Sequence, residues 1–376
     1  MIVTSGMCIE DRVRRPEVQQ TGGAMSDFPK DLAQLEAQAR ETLDPAAWHY
    51  LARGAGDDVT LQANLEAWAR LRLRPHVLRD VSALDTRTTV LGTEVAAPIL
   101  VAPTAMHRFF CAEGEAATAR AAASVGTVYV VSMAGTTALE DVAAAAPGAP
   151  RWAQMYMLAD RGRTRALAGR ARDAGYDAIV ASVDGAAVPT GRRSTQQSLT
   201  PPDWFRFPNL AAPDDPDTAD LMALVEDFDT SVTFDDLARF AEWSGLPVVV
   251  KGVLRGDDAA RCVDVGVAAV VVSNHGGRTL DGIVATAEAL PDVLDGIAGR
   301  AEVYVDGGIR NGVDVAKAIA LGARAVLVGR PVLWGLAVGG TDGAAHVLAV
   351  LADQFAKAMA FCGASMVDGL GRDLLR

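Results

Sequence analysis

Cysteine is scarce in this chain. Its 376 residues hold four, Cys8, Cys111, Cys262 and Cys362, none forming Cys-x-x-Cys and none close to another. That excludes a disulfide framework or a zinc ribbon, and no metal site is expected. Inert thiols in a reducing cytoplasm are the expectation. Positive charge is also short: 35 Lys and Arg face 47 Asp and Glu, a net charge of −12. Phosphate backbones want a basic face, so a nucleic-acid partner is excluded. An anionic small molecule is not, because one or two local arginines suffice to hold it. No apolar run reaches the roughly 18–20 residues of a membrane helix, so no membrane partner is expected. The first two dozen residues also lack an apolar stretch that could serve as a signal peptide. They carry Arg12, Arg14, Arg15 and Gly22-Gly23 instead. Residues 1–25 read as a flexible tail, and Met25 offers an alternative start, since ordered patterning begins just after it.

What is present is repetition. Eight short apolar, β-branched runs end near Ala102, Ser132, Tyr156, Asp184, Lys251, Ser273, Asp306 and Gly329. Ala-rich segments of helical periodicity follow most of them, at spacings of roughly 20–35 residues, which is the rhythm of βα units. Near-continuous apolar strands suit a parallel sheet covered on both faces. Eight such units predict a closed (β/α)8 TIM barrel, an α/β fold, within one domain spanning 26–376. An open doubly wound sheet would want a Gly-rich turn after the first strand, and Pro103-Thr104-Ala105 is not one. Residues 29–75 read as two helices ahead of the barrel, and a helix near 343–362 closes the chain. The interval 185–232 is far longer than the others and holds Pro189, Pro201-Pro202, Pro208, Pro213 and Pro216. It reads as an inserted active-site loop at the mouth of strand four, where barrel enzymes place their chemistry.

The polar residues fall at the C-terminal ends of these runs: Gln154 and Tyr156, Ser182 and Asp184, Lys251, Ser273 with His275 and Arg278, Asp306, and Gly329-Arg330. Burying so many without partners would cost several kcal/mol each, so a shared ligand and mutual pairing are expected. Asp306-Gly307-Gly308-Ile309-Arg310 and Gly329-Arg330-Pro331 follow the last two strands. Glycines there let backbone N–H groups approach a phosphate and the arginines supply charge. Lys251 ends a buried strand and is either a charge partner for a ligand, a Schiff-base lysine, or a side chain snorkelling from the mouth. His275 can take a proton near neutral pH, and Arg278, three residues on, can grip a carboxylate.

Ser273-Asn274-His275-Gly276-Gly277-Arg278-Thr279-Leu280-Asp281-Gly282 resembles the signature of the FMN-dependent 2-hydroxy acid oxidase and dehydrogenase family, which includes glycolate oxidase, lactate oxidase and mandelate dehydrogenase. The resemblance runs from about Tyr50 to the C-terminus. It takes in Pro103-Thr104-Ala105-Met106, Gln154-Met155-Tyr156, Val183-Asp184, Val250-Lys251-Gly252 and the Asp306–Arg310 motif. It implies an FMN enzyme that oxidises a 2-hydroxy acid, with O2 as the expected electron acceptor, commonly as a homotetramer or octamer. His275 would be the base, Asp184 its anionic partner, and Tyr156 a hydrogen-bond donor to substrate. Arg278 and Tyr50 would hold the carboxylate. Ser132, Gln154, Ser182, Lys251 and the backbone of Pro103, Thr104 and Ala105 would line the flavin ring, with Ser273 in the same set. Asp306 and Gly307 would meet the ribityl chain. Gly308, Arg310, Gly329 and Arg330 would hold the phosphate.

The chain departs from the family's pattern at three places, two of which bear on substrate. Ala134 stands where short-chain members often carry an aromatic residue, so a wider pocket and a bulky or aromatic substrate side chain are expected, unless Tyr129, Met133 or Phe109 fills the gap. Residues 185–194 form a slightly longer loop than the family's, with Arg193 as the candidate second carboxylate arginine. This loop keeps open a non-standard substrate, an amine or a specialised alcohol, beside lactate-type chemistry. Cys111-Ala112-Glu113-Gly114-Glu115 replaces the usual His-Pro before Glu-Gly-Glu and reads as packing.

Overall fold

The computed structural model describes residues 28–185, 202, 205–210 and 227–376. The tail at 1–25, Arg193 and most of the inserted loop lie outside the described residues. The eight expected strands are all present. They are β3 (Ile99–Val101), β4 (Tyr129–Ser132), β5 (Arg151–Met155), β6 (Ala178–Ser182), β7 (Val248–Val253), β8 (Ala269–Val272), β9 (Glu302–Val305) and β10 (Ala325–Val328). They close into a parallel barrel in chain order, with β10 pairing β3.

Side chains alternate along a strand, so each strand feeds two cores. Leu100, Val130, Trp152, Val180, Val249, Val271, Tyr304 and Leu327 fill the barrel. Their neighbours, such as Val101, Val131, Ala153, Ile179 and Val250, face the outer helices. The same alternation explains the polar strand ends. Two residues beyond each inward apolar residue stand Ala102, Ser132, Gln154, Ser182, Lys251, Ser273, Asp306 and Gly329. Two further on stand Thr104, Ala134, Tyr156, Asp184, His275 and Gly308. The barrel is therefore apolar at its base and polar in two tiers at its mouth.

Two additions were not read from the sequence. A hairpin, β1 (Thr88–Val90) with β2 (Thr93–Val95), sends Val90 and Val95 into the barrel core. Its two-residue loop, Leu91-Gly92, has positive φ at both positions, +47° and +80°, the geometry of a tight hairpin. Three-residue strands joined through Leu-Gly carry none of the usual Asn-Gly signal. Ahead of the barrel stand three helices rather than two: α1 (Leu32–Thr42), α2 (Pro45–Ala52) and α3 (Val59–Arg70). The extra break comes from Asp44-Pro45, where Asp44 caps the Ala46 N–H and Pro45 opens α2.

Between the strands run α4 (Gly114–Ser124), α5 (Leu139–Ala145), α6 (Arg161–Asp173), α7 (Phe234–Ser244), α8 (Gly256–Asp264), α9 (Thr286–Ile297) and α10 (Gly312–Leu321). The closing helix starts earlier than expected: α11 spans Arg330–Cys362, kinked at Gly339 and Gly340. Among the described residues it is the one helix long and apolar enough to cross a membrane. Its apolar residues instead pack against α1, α4 and α10.

Candidate active site

The lower polar tier holds two hydrogen-bonded sets. Ser132 Oγ donates to Gln154 Oε1 (3.2 Å), and Gln154 Nε2 donates to Ser182 Oγ (3.0 Å). Lys251 Nζ donates to Ser273 Oγ (2.8 Å) and pairs with Asp306 Oδ2 at 3.1 Å. Burial works against the Lys251 charge, but Asp306 and Asp184 outweigh it and hold its pKa above the ordinary lysine value. Lys251 is thus a buried, charged donor. The snorkelling alternative is excluded by its 3 % exposure. A charged amine is also a poor Schiff-base nucleophile.

Asp306 keeps Oδ1 buried with no hydrogen-bond partner among the described residues. Around it, Arg278, Arg310 and Arg330 converge on the same cavity, and none of them makes a salt bridge to a described carboxylate. Arg330 donates to the carbonyls of Leu51, Gly276 and Arg53, and Arg310 to that of Ile309. Burial, then the neighbouring Arg278 and Arg310, push the Arg330 pKa well down, and burial lowers that of Arg310 against the pull of Glu36 and Asp314. Buried cations in mutual repulsion call for an anion. Glu36 on α1 is a half-buried neighbour of this cluster that sequence reasoning missed. Burial pushes its carboxyl up, against the pull of Arg310 and Arg330.

Backbone approach is secured at Gly308. Its φ is +82°, and a Cβ there would lie 2.5 Å from the Asn64 carbonyl oxygen. Asn64 is a second residue missed from sequence. It exchanges amide hydrogen bonds of 2.9 and 2.8 Å with Asn274, which fixes the loop that carries His275. Its signal was weak: a fully buried asparagine on an otherwise amphipathic helix.

The upper tier holds the groups with acid–base potential. His275 has φ +56°, the left-handed region that a non-glycine residue rarely occupies. Its Nδ1 lies 3.1 and 3.2 Å from the two Asp184 oxygens, with Asp184 only 10 % exposed. Burial pushes the Asp184 carboxyl up, but the charges of His275 and Lys251 prevail and hold it below the usual aspartate value. Tyr156 is pushed well above the ordinary phenol range, first by burial and then by Asp184 and Tyr50, so it stays a protonated donor. The Arg278 guanidinium lies over the Tyr50 ring at 4.7 Å and donates to the Tyr50 and Arg53 carbonyls at 2.8 Å.

These tiers enclose a cavity of about 230 Å³. Of the expected site residues that are described, all but Asp184 and Ser273 line it. Those two stand one layer back, Asp184 behind His275 and Ser273 behind Lys251. Ser273 therefore acts through its neighbours: its Oγ also accepts the His275 N–H at 3.1 Å. Ala134 lines the cavity, and Tyr129, Met133 and Phe109 do not. Tyr129 is turned toward His107, Met133 Sδ accepts the Tyr156 N–H, and Phe109 packs on Phe205. Nothing from that set fills the gap above Ala134. Phe228, from the end of the inserted loop, is a wall residue that the sequence reading missed.

The residues fit FMN. The arginine cluster and Gly308 suit its phosphate, the unsatisfied Asp306 Oδ1 a ribityl hydroxyl, and the Ser132–Gln154–Ser182 chain together with Lys251 the polar edge of its ring. The sequence pattern of the FMN-dependent dehydrogenases matches residues 39–376. An L-lactate oxidase of Nostoc sp. is 43% identical over 357 residues, covering 92% of this chain and 98% of the relative. Human 2-hydroxyacid oxidase 1 is 39% identical, covering 91% and 95%. A solved structure of mandelate oxidase with (S)-4-hydroxymandelic acid superposes with a TM-score of 0.85 at 39% identity, over 93% of this chain and 98% of that one.

Proposed function

The chain belongs to the FMN-dependent dehydrogenase family, and we propose that within it this enzyme oxidises an L-2-hydroxy acid bearing a bulky, aromatic side chain to the 2-oxo acid. FMN, when bound, supplies the acceptor for two electrons, and O2 is the proposed final acceptor. His275 is the base. Asp184 occupies its Nδ1, which leaves Nε2 for the substrate proton, and the Asp184 charge stabilises the imidazolium that forms. Arg278 and Tyr50 hold the carboxylate, and Tyr156 donates to the substrate oxygen. The side chains of Ser132, Gln154, Ser182 and Lys251 hold the ring edge, and Lys251 offsets negative charge there.

The observation that carries the reading is the His275–Asp184 pair at the wall of a cavity whose floor is the cofactor tier. Its aromatic part rests on Ala134, whose small side chain lines that cavity. A structural relative solved with (S)-4-hydroxymandelic acid is in line with it. The relative named L-lactate oxidase motivates the smaller-acid alternative. Anaerobic mixing with mandelate, 4-hydroxymandelate, phenyllactate, lactate and glycolate separates the two. Flavin bleaching is expected fastest with the aromatic acids, and His275→Ala should keep FMN and lose the bleaching. Faster bleaching by lactate than by every aromatic acid would reject the aromatic reading, and an active His275→Ala would reject the base.

A further inference from the structure

One wall of the cavity comes from outside the eight strands. Asp227-Phe228-Asp229 runs antiparallel to Met157-Leu158-Ala159 as a short bridge, with Ala159 N–H donating to Asp227 O (2.7 Å) and Asp229 N–H to Met157 O (2.9 Å). In an extended segment, neighbours point to opposite sides. Asp227 and Asp229 turn outward to the first turn of α6, where Asp227 pairs with Arg163 and Asp229 with Arg161 at 2.8 Å. Arg161 also holds Asp236 on α7. Phe228 must then point inward. It lines the cavity and stacks on Tyr156, with ring centroids 4.3 Å apart and planes 20° from parallel. Gly185 leaves room for the Tyr156 ring: a Cβ there would lie 2.6 Å from Tyr156 Cε1.

We propose that Phe228 is a specificity-determining residue, a clamped aromatic wall that selects 2-hydroxy acids whose C2 substituent is an aromatic ring. This rests on the function proposed above and names the residue that discriminates within it. Two features point to recognition rather than to packing alone. The ring lines the same cavity as Ala134, so a substrate substituent bound there would meet it. It is also held rigid by charge pairs on both flanking residues, so little ordering entropy is lost when a planar group settles on it. An aryl substituent gains an aromatic contact that a methyl group cannot make.

The test uses FMN-loaded enzyme with (S)-mandelate and L-lactate, comparing wild type, Phe228→Ala and Phe228→Leu. Phe228→Ala is expected to lower kcat/KM for mandelate roughly tenfold, the factor one aromatic pair is worth, mostly through KM. Lactate should change by less than about twofold. Phe228→Leu returns apolar bulk without a ring and keeps the fold secure. It should still lose several-fold on mandelate alone. Arg163→Ala, which loosens the clamp, should shift the same ratio in the same direction. Equal losses on both acids would make Phe228 a mere brace for Tyr156 and overturn the proposal, as would unchanged mandelate kinetics in both Phe228 variants. Failure of the underlying reading shows elsewhere: wild-type enzyme would then oxidise lactate but not mandelate, before any variant is made.

Discussion

Asp184→Asn isolates the charge behind the base. The substitution keeps the shape and one acceptor oxygen facing His275 Nδ1, and removes the negative charge. The carboxylate oxygens lie 3.1 and 3.2 Å from Nδ1, and the Asp184 side chain is 10 % exposed, so solvent screens the pair little. Unit charges about 4 Å apart at an effective dielectric near 20 attract by about 4 kcal/mol. The neutral hydrogen bond that asparagine retains recovers roughly 1 kcal/mol. The imidazolium formed when His275 takes the substrate proton therefore loses about 3 kcal/mol of support, on the order of a hundredfold in rate. Asp184 stands behind the cavity wall and does not line it, so KM should move by less than roughly threefold. The assay is anaerobic stopped-flow reduction of the bound flavin at saturating mandelate, with FMN content measured on the same sample. A reduction rate within about fivefold of wild type, at full FMN occupancy, would refute the reasoning. A loss that tracks missing FMN would assign Asp184 to Lys251 and the cofactor instead.

Gly308→Ala should destabilise the enzyme by about 2–4 kcal/mol and weaken FMN retention. The new Cβ would meet the Asn64 carbonyl at 2.5 Å on a backbone with φ +82°. An unchanged melting temperature of the FMN-loaded variant would contradict this. FMN at a hundred times its Kd should stabilise the apoprotein by about 2.7 kcal/mol. For a chain of this size that is a rise of about 4 °C in Tm, and Arg330→Ala should abolish most of it. The clamp around Phe228 should loosen only in acid. Asp229 is held below the usual aspartate range by its Ser231 hydrogen bonds and by Arg161. A depressed carboxyl contributes stability above its unfolded pKa, near 3.9, and loses it as pH falls through the folded value. Melting profiles should therefore show Asp229→Asn less sensitive than wild type below about pH 4 and parallel to it from about pH 5 to 8. Parallel profiles throughout would count against the clamp.

The barrel and most of the site were legible because strand alternation and burial leave a regular trace. An apolar residue facing inward is followed two positions later by a polar one at the mouth, and this happens from Val130–Ser132 to Tyr304–Asp306. Glycines beside arginines in Asp306–Arg310 and Gly329-Arg330 marked the anion end for the same reason. What stayed hidden was non-periodic. The β1–β2 hairpin is too short for a pattern, and Asn64 works through a partner 210 positions away.

Sequence alone thus determined the fold class, the cofactor and the set of groups at the barrel mouth, because each depends on local periodicity or on a contiguous motif. Only the tertiary structure decided which of them face the cavity and which stand behind. Asp184 and Ser273 turned out to orient His275 and Lys251 from one layer back. Only the structure, too, brought Phe228 onto Tyr156 and turned Tyr129, Met133 and Phe109 away from the cavity that Ala134 lines. Those placements arise from the inserted loop pairing with the chain after β5, and from arginines on α6 meeting aspartates more than sixty residues on. Such contacts depend on distance in space rather than on spacing along the chain, and so no reading of spacing could supply them.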